Sequence, residues 1–139
     1  MSVKINELDL PEELLEAIND GLSTTAIPAE SWCRLFPRAD VVRPRMYSIE
    51  AMQINNRDWY EQADPVYLGQ AGGLCSPGDI NPRLSLLIGE LEPETPIALD
   101  YRCSGNCPIV VYLTCAGFES GWKCVAPSVG AFVSALMKA

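Results

Sequence analysis

Histidine is absent from this chain of 139 residues. Its absence removes Ser-His-Asp and Cys-His catalysis and every histidine-ligated metal site. A Walker-type Gly-Lys-Ser/Thr sequence and a Gly-x-Gly-x-x-Gly run, two common phosphate cradles, are missing as well. No stretch reaches the roughly 18 consecutive apolar residues of a membrane span. The start, Met1 to Glu7, lacks the apolar core of a signal peptide. These gaps lead to the expectation of a soluble, cytoplasmic protein that is not an enzyme and needs no cofactor. Basic residues are scarce too: 10 Lys and Arg face 18 Asp and Glu, for a net charge of −8. Binding to nucleic acid phosphates needs a positive field, so nucleic acid is not an expected partner. Acidity suits a basic protein partner, although it also serves solubility alone.

What is present is ordinary for a globular chain, at 48% hydrophobic and 20% charged. Residues 1–139 are expected to form one domain. A helix is predicted from Leu10 to Asp20, with Pro11 at its first position and Gly21 as its C-terminal cap. Its apolar face is Leu14, Leu15, Ile18 and Leu22. A second helix starts at Pro28, carries Trp32, Leu35 and Phe36, and stops at Pro37. Residues Ala39 to Tyr47 read as extended, with Pro44 marking an edge or a break. Ser48 caps a third helix that turns Ile49 and Met52 inwards; Asn55 and Asn56 leave its end open.

Further on, Val66 to Leu68 reads as a short strand and Gly69 to Pro82 as a long loop. Strands are predicted at Leu84 to Ile88, Ile97 to Tyr101, Ile109 to Leu113 and Trp122 to Val125. Ile97, Leu99 and Tyr101 share one face, and the third of these strands is apolar on both, as a central strand should be. Ser128 caps a last helix with Val129, Phe132, Val133 and Leu136 inside. Helices, then a meander, then a closing helix make an α+β fold: an antiparallel sheet of about four to six strands with helices at one face and the periphery.

One ordered series in the second half is distinctive. It runs Ser76-Pro77-Gly78-Asp79-Ile80, Leu87 to Leu91, Pro96-Ile97-Ala98-Leu99-Asp100-Tyr101-Arg102, Val110 to Leu113, Trp122, then Val125-Ala126-Pro127-Ser128 and Phe132. This series resembles the SUKH superfamily, which includes fungal cell-wall assembly regulators and bacterial immunity proteins of polymorphic toxin systems. The likeness covers residues 66 to 136, with Leu10-Pro11-Glu12 fitting upstream. It departs from the family pattern where Val129-Gly130-Ala131 follows Ser128, and where Cys103 and Cys107 occupy the hairpin loop. The resemblance implies a curved sheet with peripheral helices and a binding role: capping a toxin, often a nuclease or deaminase. The alternative within the family is a scaffold or regulator of cell-wall synthesis. No catalytic constellation comes with it.

Two groups of residues are candidates for partner binding. Glu12, Glu16 and Asp20 fall four apart and form an acidic stripe on the first helix, at a small cost in like-charge repulsion. The plainer reading is a solvated face. Asp58, Trp59, Tyr60, Glu61 and Asp64 combine aromatics with charge, as interface hot spots do. Trp59 and Tyr60 read equally well as core. Arg34, Arg38, Arg43 and Arg45 are available to balance either acidic face. The partner expected is a basic toxin domain, and the chain itself is expected to be a monomer or weak homodimer. The 6 cysteines allow a zinc site from Cys75, Cys103, Cys107, Cys115 and Cys124. Their spacing lacks the two tight pairs that closed sites show, so reduced structural thiols are expected and no metal. A Cys103–Cys107 disulfide would close only a tiny loop. Glu90, Glu92, Glu94 and Asp100 supply carboxylates for hydrolysis, but Glu92-Pro93-Glu94 reads as an exposed turn. Asp100 reads as a structural hydrogen-bond acceptor or an exposed residue.

Overall fold

The computed structural model describes residues 3–24, 26–37, 41, 43–63, 65–69, 77–92, 95–103, 107–116 and 119–137. Local chemistry sets the first elements. β1 (Lys4–Ile5) and β2 (Leu8–Asp9) form a hairpin around Asn6 and Glu7, which both adopt positive φ, at 52° and 68°. Such a tight turn favours asparagine. The Asn6 side chain also donates to the Asn56 carbonyl at 2.8 Å, anchoring the turn. This hairpin lies in a stretch for which the sequence predicts no element.

α1 (Glu12–Asn19) follows, with Pro11 at its N-cap, one position earlier than predicted. Its end is a Schellman motif: Gly21 N–H bonds Ile18 O, Leu22 N–H bonds Ala17 O, and Gly21 takes φ 102°. Ala17 and Leu22 are buried at that closure. α2 (Ala29–Leu35) buries Trp32, and Phe36 behind it packs edge-on against Tyr112 and Phe132. The edge strand β3 (Arg45–Met46) occupies the predicted extended segment. α3 (Ile49–Gln62) opens on Ser48, whose Oγ accepts the Ala51 N–H, and runs through both Asn55 and Asn56.

Two expectations for the middle of the chain are corrected. Val66–Leu68 is no strand: Pro65–Tyr67 is a single 3₁₀ turn, closed by Leu68 N–H on the Pro65 carbonyl. Proline at its start pre-sets the helical φ, which the apolar triplet obscures. The predicted loop also contains β4 (Pro77–Gly78), paired to the last strand. A proline is tolerated there because the strand is an edge.

The remaining strands are β5 (Ser85–Glu92), β6 (Thr95–Asp100), β7 (Ile109–Ala116) and β8 (Glu119–Ala126), and the chain closes with α4 (Val129–Met137). All pairings are antiparallel, in the order β3-β5-β6-β7-β8-β4, with β7 central as expected. Register shifts in β5 and at Val110–Val111 mark bulges, which bend strands and add twist. The result is α+β, with an open six-stranded sheet and a separate two-stranded one.

The period of two along the strands divides the core. Leu86, Ile88, Ile97, Leu99, Val110 and Tyr112 belong to the larger cluster, where α1, α2 and α4 pack. Ala98, Val111, Leu113 and Trp122 form a smaller cluster with Trp59 and Ile80. α3 serves both, sending Met52 to the first and Trp59 to the second.

Candidate partner-binding site

α3 owes its position to one buried polar side chain. Asn56 is fully buried; its Oδ1 accepts the Leu87 N–H at 2.7 Å, and its Nδ2 donates to the Leu87 carbonyl at 2.9 Å. Both groups belong to the edge of β5 beyond the end of β3, where an unpaired strand would otherwise be exposed. The asparagine thus acts as a one-residue extension of the sheet. One turn later Trp59 donates its Nε1–H to Ser85 Oγ at 2.9 Å, and its ring centre lies 6.0 Å from that of Trp122. Trp122 in turn donates to the Tyr67 carbonyl at 2.7 Å, fixing the 3₁₀ turn over the sheet.

These contacts leave a groove of about 290 Å³ between α3, the 3₁₀ turn and the β5–β6 face. Tyr47, Trp59 and Tyr67 supply aromatic surface, Leu87, Ala63 and Pro96 aliphatic surface, and Asn55, Asp58 and Gln62 polar groups. Beside it, Tyr47 donates its O–H to Glu90 Oε1 at 2.8 Å, and the Arg45 guanidinium meets the same oxygen at 3.2 Å. Burial, then the hydrogen bond to Glu90 and its charge, raise the Tyr47 phenol above its ordinary range, against a smaller opposing effect of Arg45. The phenol therefore stays protonated and remains a donor.

A second polar cluster lies at the end of β6. Asp100 is 3% exposed and receives three N–H bonds from the Arg102 guanidinium together with the Arg102 backbone N–H. Arg102 also reaches Asp79 Oδ1 and the Asp79 carbonyl, each at 2.8 Å. The hydrogen bond to Asp100 is the largest influence holding Arg102 protonated, ahead of the opposing effect of burial and the bond to Asp79. This arginine ties the segment carrying β4 to the sheet. Asp100 is thus a structural acceptor, one of the two roles expected for it. Among the described residues every buried side-chain polar atom has a partner.

The structure separates the sequence-predicted residues. Glu12, Glu16 and Asp20 are all exposed along α1, which packs on α4. Asp58 and Glu61 are exposed on α3, a different element. Trp59 is 5% exposed and belongs to the core, so only a small part of its ring faces the groove. Tyr60 is half-buried, with the Arg83 guanidinium 4.6 Å from its ring centre. Asp64, Arg38, Cys75, Pro93 and Glu94 lie outside the described residues. Arg45 balances Glu90 and not the acidic stripe.

Cys33, Cys103 and Cys124 are exposed thiols, and burial is the first cause of a raised Cys124 pKa. Among the described residues no group of three or more metal-ligating side chains converges. None of their helices is long and apolar enough to cross a membrane. Sequence reasoning missed Tyr47, Glu90, Leu87 and Pro96 as neighbours. They come from three segments, Leu87 and Glu90 from β5 and the others from beside β3 and from β6, and the pairing of β3, β5 and β6 brings them together. Comparison with protein-family models, with curated proteins and with solved structures finds no match.

Proposed function

We propose that the chain is an immunity-type protein. It binds a basic toxin domain, of the nuclease or deaminase kind, and neutralises it by covering the active site or the surface beside it. The observation that carries this reading is the division of the negative charge. Within the fold and at its margin, Glu90 is matched by Arg45, while Asp79 and Asp100 share Arg102. On the outside, Glu12, Glu16 and Asp20 of α1 and Asp58 and Glu61 of α3 are exposed, and none of them is in an ion pair among the described residues.

Unmatched carboxylates on a chain of net charge −8 steer a basic partner to the surface and reject acidic ones. The resemblance through Pro96 to Trp122 points to the same role. Native mass spectrometry of the chain mixed with a toxin domain encoded beside its gene tests the proposal. A 1:1 complex is expected; two unbound species under conditions that preserve other complexes would overturn it.

A further inference from the structure

The groove beside α3 has the chemistry of a cation receptor. Small-molecule sites run from about 300 to 1,000 Å³. At about 290 Å³ and open to solvent, this groove suits a single side chain offered by another protein. Aromatic rings attract cations through their negative faces; Tyr67 offers half-buried ring surface to the groove, and Tyr47 and Trp59, each 5% exposed, add small parts of theirs. Leu87 and Pro96 offer aliphatic contact for the stem of a long side chain. Asp58 contributes a carboxylate that has no ion pair among the described residues; no lysine or arginine is among the described residues lining the groove, and Arg45 beside it is already paired with Glu90.

The neighbourhood already binds guanidinium groups from within the chain. Arg45 sits 5.3 Å from the Tyr47 ring centre while pairing with Glu90, and Arg83 sits 4.6 Å from that of Tyr60 while bonding its hydroxyl. Aromatic ring plus acceptor oxygen is thus a repeated arrangement on this flank. Ile54, 64% exposed and one turn before Asp58 on α3, provides apolar surface next to it.

We infer that the groove seats an arginine side chain of the protein partner, its guanidinium beside the Tyr67 ring and its charge matched by Asp58. Arginine fits better than lysine because its planar, weakly hydrated head stacks on rings and pairs with a carboxylate at once. The inference rests on the protein-binding reading above, but not on the partner being a toxin.

The test uses the intact, ¹⁵N-labelled chain and two short peptides, acetyl-Gly-Arg-Gly amide and its citrulline counterpart, which keeps the shape and removes the charge. The arginine peptide is expected to give saturable shifts at the Trp59 indole N–H and at the Asn55 and Gln62 side-chain amides. The citrulline peptide should bind at least about threefold more weakly. Asp58→Asn, at an exposed position, should weaken the arginine peptide by a similar factor. Absence of shifts at these three groups, equal binding of the two peptides, or unchanged binding by the variant would overturn the inference. A toxin complex that forms without perturbing the groove defeats this inference alone; arginine binding without any toxin complex defeats only the functional reading.

Discussion

At the scale of single residues, the interior depends on polar groups that act through exact partnership. Asp100 is nearly inaccessible, and Arg102 is its counter-charge. Removing one member of a buried pair leaves an uncompensated charge, which costs roughly 3–5 kcal/mol when burial is complete. The Arg102 side chain is 27% exposed, so Arg102→Ala should cost less, about 2–4 kcal/mol in urea unfolding. A change under about 1 kcal/mol would show that the cluster does not hold the β4 segment in place.

The phenols make a second, independent prediction. Burial is the main cause that raises the pKa of both Tyr47 and Tyr101; Glu90 adds to the first and Asp9 to the second. Above pH about 10 the unfolded chain releases phenol protons that the native chain retains. The stability they contribute is therefore complete below that pH and declines as pH rises beyond it. Urea midpoints at pH 9, 10 and 11 should fall progressively, and Tyr101→Phe should flatten the fall. Equal slopes for variant and parent would contradict this account.

At the scale of elements, α3 is the part that joins the core to the candidate surface. Its inner side covers the β5 edge through Asn56, and its outer side carries Ile54, Asp58 and Glu61. Asn56→Ala strips both Leu87 groups of their partner in a partly buried setting. Each unsatisfied buried group costs about 1–3 kcal/mol, so two fully buried ones would cost roughly 2–6 kcal/mol, and their partial burial places the expected loss at about 2–4 kcal/mol by thermal or chemical unfolding. Hydrogen exchange at the Leu87 amide should accelerate in the same variant.

The elements also show what the residues reveal on their own. Strands β5 to β8 and α4 are legible as elements from their apolar runs and helical spacing, but β5 and β8 extend beyond the predicted Leu84–Ile88 and Trp122–Val125, where bulges and polar residues break the alternation. The β1–β2 hairpin was not, since Asn6-Glu7 lacks the Asn-Gly signature and two-residue strands have no period to detect. Asn56 looked like a helix breaker because its compensating partners are 31 residues away. The acidic stripe on α1 could be read from spacing alone. The groove could not, because Tyr47, Trp59, Tyr67 and Pro96 meet only through tertiary packing. Trp59 reads equally as core and interface by sequence; its burial, its contact with Trp122 and its bond to Ser85 decide for the core.

At the scale of the whole molecule, the buried Asp100 has its counter-charge, while the carboxylates of Glu12, Glu16, Asp20, Asp58 and Glu61 stand exposed without an ion pair among the described residues. Electrostatic steering acts on the association rate and is screened by salt over a Debye length of about 8 Å at physiological ionic strength. The association rate with a basic partner should therefore fall as salt rises, while the dissociation rate changes far less. Reversing Glu12, Glu16 and Asp20 to lysine should slow association with little net change in thermal stability, since the three positions are exposed and the dipole cost at Glu12 is offset by the gain at Asp20.

The central claim is that the chain neutralises its partner by covering it. Titrating the catalytic turnover of a toxin domain encoded beside the gene tests the proposal most directly. Activity should fall linearly and vanish at one equivalent of the chain, and the inhibited toxin should recover when the complex is dissociated. Full toxin activity in the presence of excess chain would contradict the account.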